Sequence, residues 1–159
     1  MCRSVFIAAV VALNFIGCDE PVDLRTGLQV LDVSSGWREG GIVNGQTRLV
    51  PSITFRLKNV SNQRLNILQV NAVFRRVNDE EEWGSGFMTV AGSEGLAPGT
   101  SSALLTISSQ HGYTGIESDQ VMLQNSQFVD AKVHLSAKYG STQLVRVGEF
   151  GVTRRLIGR

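Results

Sequence analysis

Toward the end of the chain, in "FVDAKVHLSAKY" (residues 128–139), the ten residues 129–138 alternate strictly. Val129, Ala131, Val133, Leu135 and Ala137 take one parity; Asp130, Lys132, His134, Ser136 and Lys138 take the other. A period of two cannot hold an apolar stripe on a helix of 3.6 residues per turn, but it lays every apolar side chain on one face of an extended strand. Such a strand must pair with others and cover one face while the second face meets water. That requirement commits the chain to an antiparallel sheet. On this reading His134 stands on the solvated face.

The same period recurs. In "LVPSITFRLKN" Ile53, Phe55 and Leu57 face one way, with Thr54, Arg56 and Lys58 opposite. In "LNILQVNAVF" Leu68, Val70, Ala72 and Phe74 share a face, whereas Leu65 and Ile67 have the other parity; a bulge or bend near Ile67 reconciles the halves. Weaker strand candidates cover residues 28–34, 87–91, 102–108 and 143–152, and residues 116–126 fit one helical turn or a strand. Asn59-Val60-Ser61-Asn62, Pro98-Gly99 and Tyr139-Gly140-Ser141 supply turns between the runs. Six or seven short strands without a strong helix predict an all-β fold, a single antiparallel β-sandwich. The 159 residues suit one such domain. Fifteen basic against fourteen acidic residues leave a net charge of +1, which argues against a nucleic-acid partner.

The amino terminus follows another rule. Arg3 precedes an apolar run over residues 5–16, interrupted only by Asn14, and the run ends in Phe15-Ile16-Gly17-Cys18. About a dozen apolar residues match a signal-peptide core and fall short of the roughly 20 that span a bilayer. The segment is apolar all round, unlike the amphipathic first helix that would make Cys18 an ordinary buried thiol. A cleavable export signal without lipidation is a further alternative. The stretch resembles the lipobox of bacterial lipoproteins, although Phe15 stands where that family usually has Leu. The resemblance implies cleavage before Cys18 and acylation of its thiol and new amino group, and two acyl chains give a stable anchor where one is marginal. The expected organisation is a signal peptide over residues 1–17, the lipidated Cys18 with a flexible tether over residues 18–26, and the β-sandwich over residues 27–159. The implied location is the bacterial cell envelope, anchored in the lipid bilayer through Cys18 and facing the periplasm or exterior. In enterobacterial lipoproteins an aspartate after the cysteine resembles an inner-membrane retention signal, and Asp19 holds that position. Cleavage also removes Cys2, so no disulfide framework is expected.

"ITFRLKNVSNQRLNILQVNAVFRRVNDEEEWGSG" followed by "LAPGTSSALLTI" is similar to the FxLYD-type and related immunoglobulin-like domains of bacterial envelope proteins. The matching positions are Asn59 and Ser61, the aromatic Phe74, the acidic turn over residues 79–82, and Leu96-Ala97-Pro98-Gly99. The resemblance covers about a third of the chain and implies an immunoglobulin-like sandwich. It implies little about function, because such folds host unrelated tasks.

Motifs for chemistry are missing. His111 and His134 have no cysteine or carboxylate at metal-ligand spacing, and no nucleophile elbow or phosphate-binding glycine loop occurs. No cofactor, metal or catalytic residue is therefore expected, and the role is read as non-catalytic, with an envelope protein as partner. The alternative is a small solute-binding or hydrolytic envelope lipoprotein. The candidate contact is the loop holding Asp79, Glu80, Glu81, Glu82 and Trp83, where a large aromatic adjoins four carboxylates. The bland reading of that loop is a solvated hairpin tip whose Trp83 folds back over the core. Trp37 and Trp83 flank "SSGWREGG" and "EEWGSG", read as glycine-rich loops, each tryptophan capping an end of the core. Arg146, Arg154, Arg155 and Arg159 make the carboxyl end basic, suited to anionic headgroups or simply a frayed tail.

Overall fold

The alternation over residues 129–138 resolves into a strand that begins only at Ala131. In the computed structural model, which describes residues 20–158, Ala131, Val133, Leu135 and Ala137 are buried, whereas Val129 is 42% exposed. Val129 thus lies outside the strand, and its neighbour Phe128 enters the core instead. The elements in order are helix α1 (Leu24–Gly27), strands β1 (Leu28–Val43), β2 (Gln46–Asn59), β3 (Leu68–Arg76), β4 (Gly84–Ala91), β5 (Leu105–Ser108) and β6 (Tyr113–Gly115), helix α2 (Asp119–Gln124), and strands β7 (Ala131–Lys138) and β8 (Val145–Gly151).

Two antiparallel sheets form a sandwich. One runs β1-β2-β5, with β6 also pairing β2; the other runs β4-β3-β7-β8. The apolar parities of β2, β3 and β7 meet between them, where Phe55, Leu57, Phe74, Val133 and Leu135 are fully buried. Burying a side chain of this size contributes roughly 1.5–3 kcal/mol. Asn44 and Gly45 join β1 to β2 with φ of +51° and +77°, the left-handed pair that a two-residue hairpin of matching twist requires.

Each lateral seam has its own device. Strand β1 carries register shifts between Leu31 and Ser34 and between Glu39 and Ile42. These bends turn its second half toward the carboxyl segment. Trp37 N donates to Arg155 O at 2.8 Å, and Ile157 N donates to Trp37 O at 2.9 Å. The stretch around Trp37 is therefore strand rather than a glycine-rich loop. Gly36 serves close approach here, since a Cβ would lie 2.7 Å from Arg155 O. On the opposite seam Gly86 of β4 leaves room for Ile107 of β5. The basic carboxyl residues are likewise held: Arg155 Nη2 donates to Ser34 Oγ at 2.7 Å, and Arg154 pairs with Asp130. Arg154 and Arg155 thus belong to the domain, not to a frayed tail; Arg159 lies outside the described residues.

The bend near Ile67 is present, with Ile67 at φ +51°. It turns Ile67 outward and lets Leu65 stay buried, bridged to Leu96. In the neighbouring turn the Asn and Ser side chains bond nearby backbone, as their types predict. Asn59 is fully buried and its amide is fully used: Nδ2 donates to Gln63 O at 2.7 Å and Leu96 O at 2.8 Å, while Oδ1 accepts from Ser61 N at 3.0 Å and Ser61 Oγ at 2.7 Å. One side chain thus ties two loops together, which is how a buried polar group avoids its desolvation cost.

Candidate functional site

The acidic loop between β3 and β4 is partly turned in on itself. Asp79 accepts from Arg76 Nη2 at 3.2 Å and from Glu81 N at 2.9 Å. The carbonyl of Glu80 accepts from Arg75 Nε at 2.9 Å, and its carboxylate lies 3.4 Å from Lys132 Nζ. Glu81 and Glu82 are exposed. Trp83 follows, half-buried, with its N–H on Phe74 O at 2.9 Å and its carbonyl accepting from His111 Nδ1 at 2.8 Å. Its ring does fold back: it lies 4.9 Å from the Tyr113 ring and 6.1 Å from that of Trp37, with the Arg76 guanidinium 5.8 Å over its face. Tyr113 and Phe128 complete the cluster at 4.6 Å. The two tryptophans therefore cap the same end of the core. Trp37 is entirely buried, and its Nε1 finds no acceptor among the described residues.

Beside this cluster opens a cleft of about 350 Å³, lined by Tyr113, Gly115, Ile116, Met122 and Phe128 together with Gln46, Thr114, Glu117, Asn125 and Gln127. Ile116 is highly exposed. The lining mixes apolar and polar side chains, with Glu117 its one carboxylate, and neither histidine lines it. No group of three or more His, Cys, Asp or Glu residues among the described residues is arranged to hold a metal ion. The sequence offered no sign of this cleft, because its walls come from β6, α2 and the segment before β7, which no single periodicity links.

His134 departs from its expected solvation. It lies on the outer face of its sheet, as its parity requires, yet only 6% of it is exposed. Arg75 Nη1 and Arg146 Nη2 both lie 2.9 Å from its Nδ1. A guanidinium only donates, so Nδ1 is the acceptor and the ring proton resides on Nε2. Glu149 Oε2 is 2.7 Å from Nε2, a close contact that is not aligned on the N–H. Burial, followed by the charge of Arg146, pushes the imidazole below its ordinary pKa, with Glu149 pulling the other way. The long arginine stems of neighbouring strands cover the ring, a possibility that alternation along one strand does not reveal.

The amino-terminal segment is fixed at the opposite end from Trp83. Gln63 Nε2 donates to Glu20 O at 2.9 Å, and Val22 N donates to Tyr139 Oη at 2.6 Å. Asp23 caps α1 through Arg25 N at 3.0 Å, and Leu24 is only 2% exposed. The flexible tether expected through residue 26 is thus replaced, from Glu20 onward, by chain docked on the domain. Apolar Val22 and Leu24 supply the reason, since both find core to pack against. Cys18 and the apolar run before it lie outside the described residues. No helix among the described residues is long and apolar enough to cross a membrane.

No protein-family model matches the sequence, and no curated protein matches it. Among solved structures, the chain is similar to the solution structure of AT1g01470 from Arabidopsis thaliana, with 12% identity, a TM-score of 0.45, and coverage of 94% of this chain and 95% of that one.

Proposed function

We propose that the protein is a lipid-anchored, extracytoplasmic component of the bacterial cell envelope with a non-catalytic interaction role. The observation that carries this reading is the apolar run ending in Gly17-Cys18, directly ahead of the sandwich. The similarity to FxLYD-type domains agrees with it. Cys18 holds the acyl chains, and the domain offers a partner its loops rather than a reactive site. Glu80, Glu81 and Glu82 form the exposed part of the acidic loop; Asp79 and Trp83 support it from beneath, one on Arg76 and the other on the aromatic cluster. A charged rim over an aromatic base suits a basic protein surface. The test is metabolic labelling with a clickable fatty acid, which marks the wild type and spares Cys18→Ser; label retained by the serine variant contradicts the anchor. Crosslinking in native envelopes then identifies the partner, and reversing charge at Glu80, Glu81 and Glu82 together weakens its capture.

The cleft supports a second reading, a carrier of a small apolar solute. Its volume lies at the small end of the ligand-pocket range, and Tyr113, Ile116, Met122 and Phe128 give it an apolar and aromatic wall beside its polar groups. Saturable binding of an apolar fluorophore, lost in Ile116→Asp, favours that reading.

A further inference from the structure

We infer that the end of the sandwich built from residues 20–27, 59–67, 92–100 and 139–144 lies against the lipid headgroups, and that Val60, Ile67 and Leu144 contact the bilayer interface there. This rests on the lipid anchor at Cys18 proposed above. Three observations carry it.

The first is the reach of the anchor. The chain is attached to the domain from Glu20 by the Gln63 Nε2 bond, then by Val22 N on Tyr139 Oη and by the burial of Leu24. Between a lipidated Cys18 and Glu20 stands only Asp19. Two Cα–Cα steps extend at most about 7 Å, whereas the headgroup layer is itself roughly 5–7 Å deep on each side of the hydrocarbon. A tether no longer than that layer cannot hold the domain clear of the membrane.

The second is that the four segments form one connected surface around that entry point. Val60 N donates to Gly27 O at 3.0 Å, Gly99 N to Asn59 O at 2.7 Å, Ile67 N to Gly92 O at 2.7 Å, and Gly140 N to Asn66 O at 2.9 Å. The buried Asn59 amide locks two of them together. This end therefore meets the membrane as a unit.

The third is what the surface exposes. Val60, Ile67 and Leu144 are each 46% exposed. Ile67 does so from φ +51°, a conformation in which a β-branched residue is an outlier and glycine or asparagine is ordinary. Charge at this end is mixed: Glu20, Asp23 and Glu94 stand with Arg25 and Arg64 in these segments, and Arg25 sits 3.7 Å from Asp23. The contact is thus apolar and insensitive to anionic lipid. It also fixes orientation. The run from Leu68 to Phe74 spans roughly 20 Å at about 3.3 Å per residue, and Trp83 N bonds Phe74 O at its far end. The acidic loop is held away from the bilayer, toward other proteins.

The test uses the full lipidated protein in phosphatidylcholine vesicles. Lipidation occupies the thiol of Cys18, so an introduced cysteine is the one free thiol for a fluorophore. Probes at Asn62→Cys and Glu81→Cys are compared with nitroxide-headgroup lipid as quencher, and intact mass verifies acylation of each sample. The expected result is at least threefold stronger quenching at residue 62 than at residue 81, unchanged by phosphatidylserine or by salt, and reduced when Ile67→Asp and Leu144→Asp are combined. Equal quenching at both sites, with Cys18 acylated, overturns this inference and leaves the anchor standing. An unacylated Cys18 removes the anchor and this inference with it.

Discussion

The rings of Trp37 and Trp83, 46 residues apart in sequence, lie 6.1 Å from each other and tilted by 56° at one end of the sandwich. Trp37 comes from the interior of β1, and Trp83 from the acidic loop. The contact makes that loop a lid on the core as well as the surface we propose for a partner. The two roles separate by depth: the indole faces inward, and the glutamates before it face water.

Truncating either indole measures the lid. Trp37→Ala is expected to cost about 3–5 kcal/mol, the range for deleting a fully buried aromatic side chain. Trp83→Ala, at a half-buried site, is expected to cost about 1–3 kcal/mol. Urea denaturation of residues 20–159 reads both. A Trp83→Ala variant as stable as wild type contradicts the packing described.

The Asn59 side chain fastens two loops through four hydrogen bonds. Asn59→Ala leaves the carbonyls of Gln63 and Leu96 without their side-chain donor, and is expected to destabilise by about 2–4 kcal/mol. Asn59→Asp is expected to be at least as harmful, because it turns an oxygen toward two carbonyl oxygens. Denaturant midpoints for the two variants check the ordering, with Asn62→Ala as an exposed control expected within about 0.5 kcal/mol.

Stability is expected to fall on acidification through His134. Its imidazole is held below the ordinary value of 6.5 by burial and by Arg146. Between that value and the lower folded one, the unfolded chain binds a proton that the folded chain refuses. Unfolding therefore becomes easier as pH drops through this window, and the effect is absent above it. Urea midpoints from pH 7.5 to 5 measure the slope. His134→Gln, which cannot titrate, is expected to flatten it; an unchanged slope contradicts the assignment.

Tyr139→Phe isolates the docking of the amino-terminal segment. It removes one acceptor, the phenolic oxygen that receives Val22 N. The expected cost is about 0.5–1.5 kcal/mol, with faster hydrogen exchange confined to residues 20–24. Unchanged exchange there contradicts a docked segment.

Legibility in the sequence followed how local each determinant was. The inward faces of β2, β3 and β7 are written in strict alternation, and the outward turn at Ile67 showed as a change of parity. The ends of strands were less legible: Val129 keeps the parity of β7 but lies beyond its pairing with β3. Features made by distant segments left no periodic trace. Trp37 sits among glycines that look like a loop, yet Gly36 serves the approach of Arg155, 119 positions later. His134 reads as solvated from its own strand, and becomes buried through arginines of β3 and β8. Val22 and Leu24 were hidden in a polar segment whose docking site lies near Tyr139. At the acidic loop the inward turn of Trp83 was one of the two readings its residues left open; the cleft beside Tyr113 was not legible at all.

The central claim is the anchor, and the intact mass of the protein extracted from membranes tests it most directly. The account predicts a chain that begins at Cys18, lacks residues 1–17, and carries the added mass of a diacylglyceryl group with or without a further amide-linked acyl chain. A chain that retains Met1, or one cleaved after Gly17 with an unmodified Cys18, contradicts it.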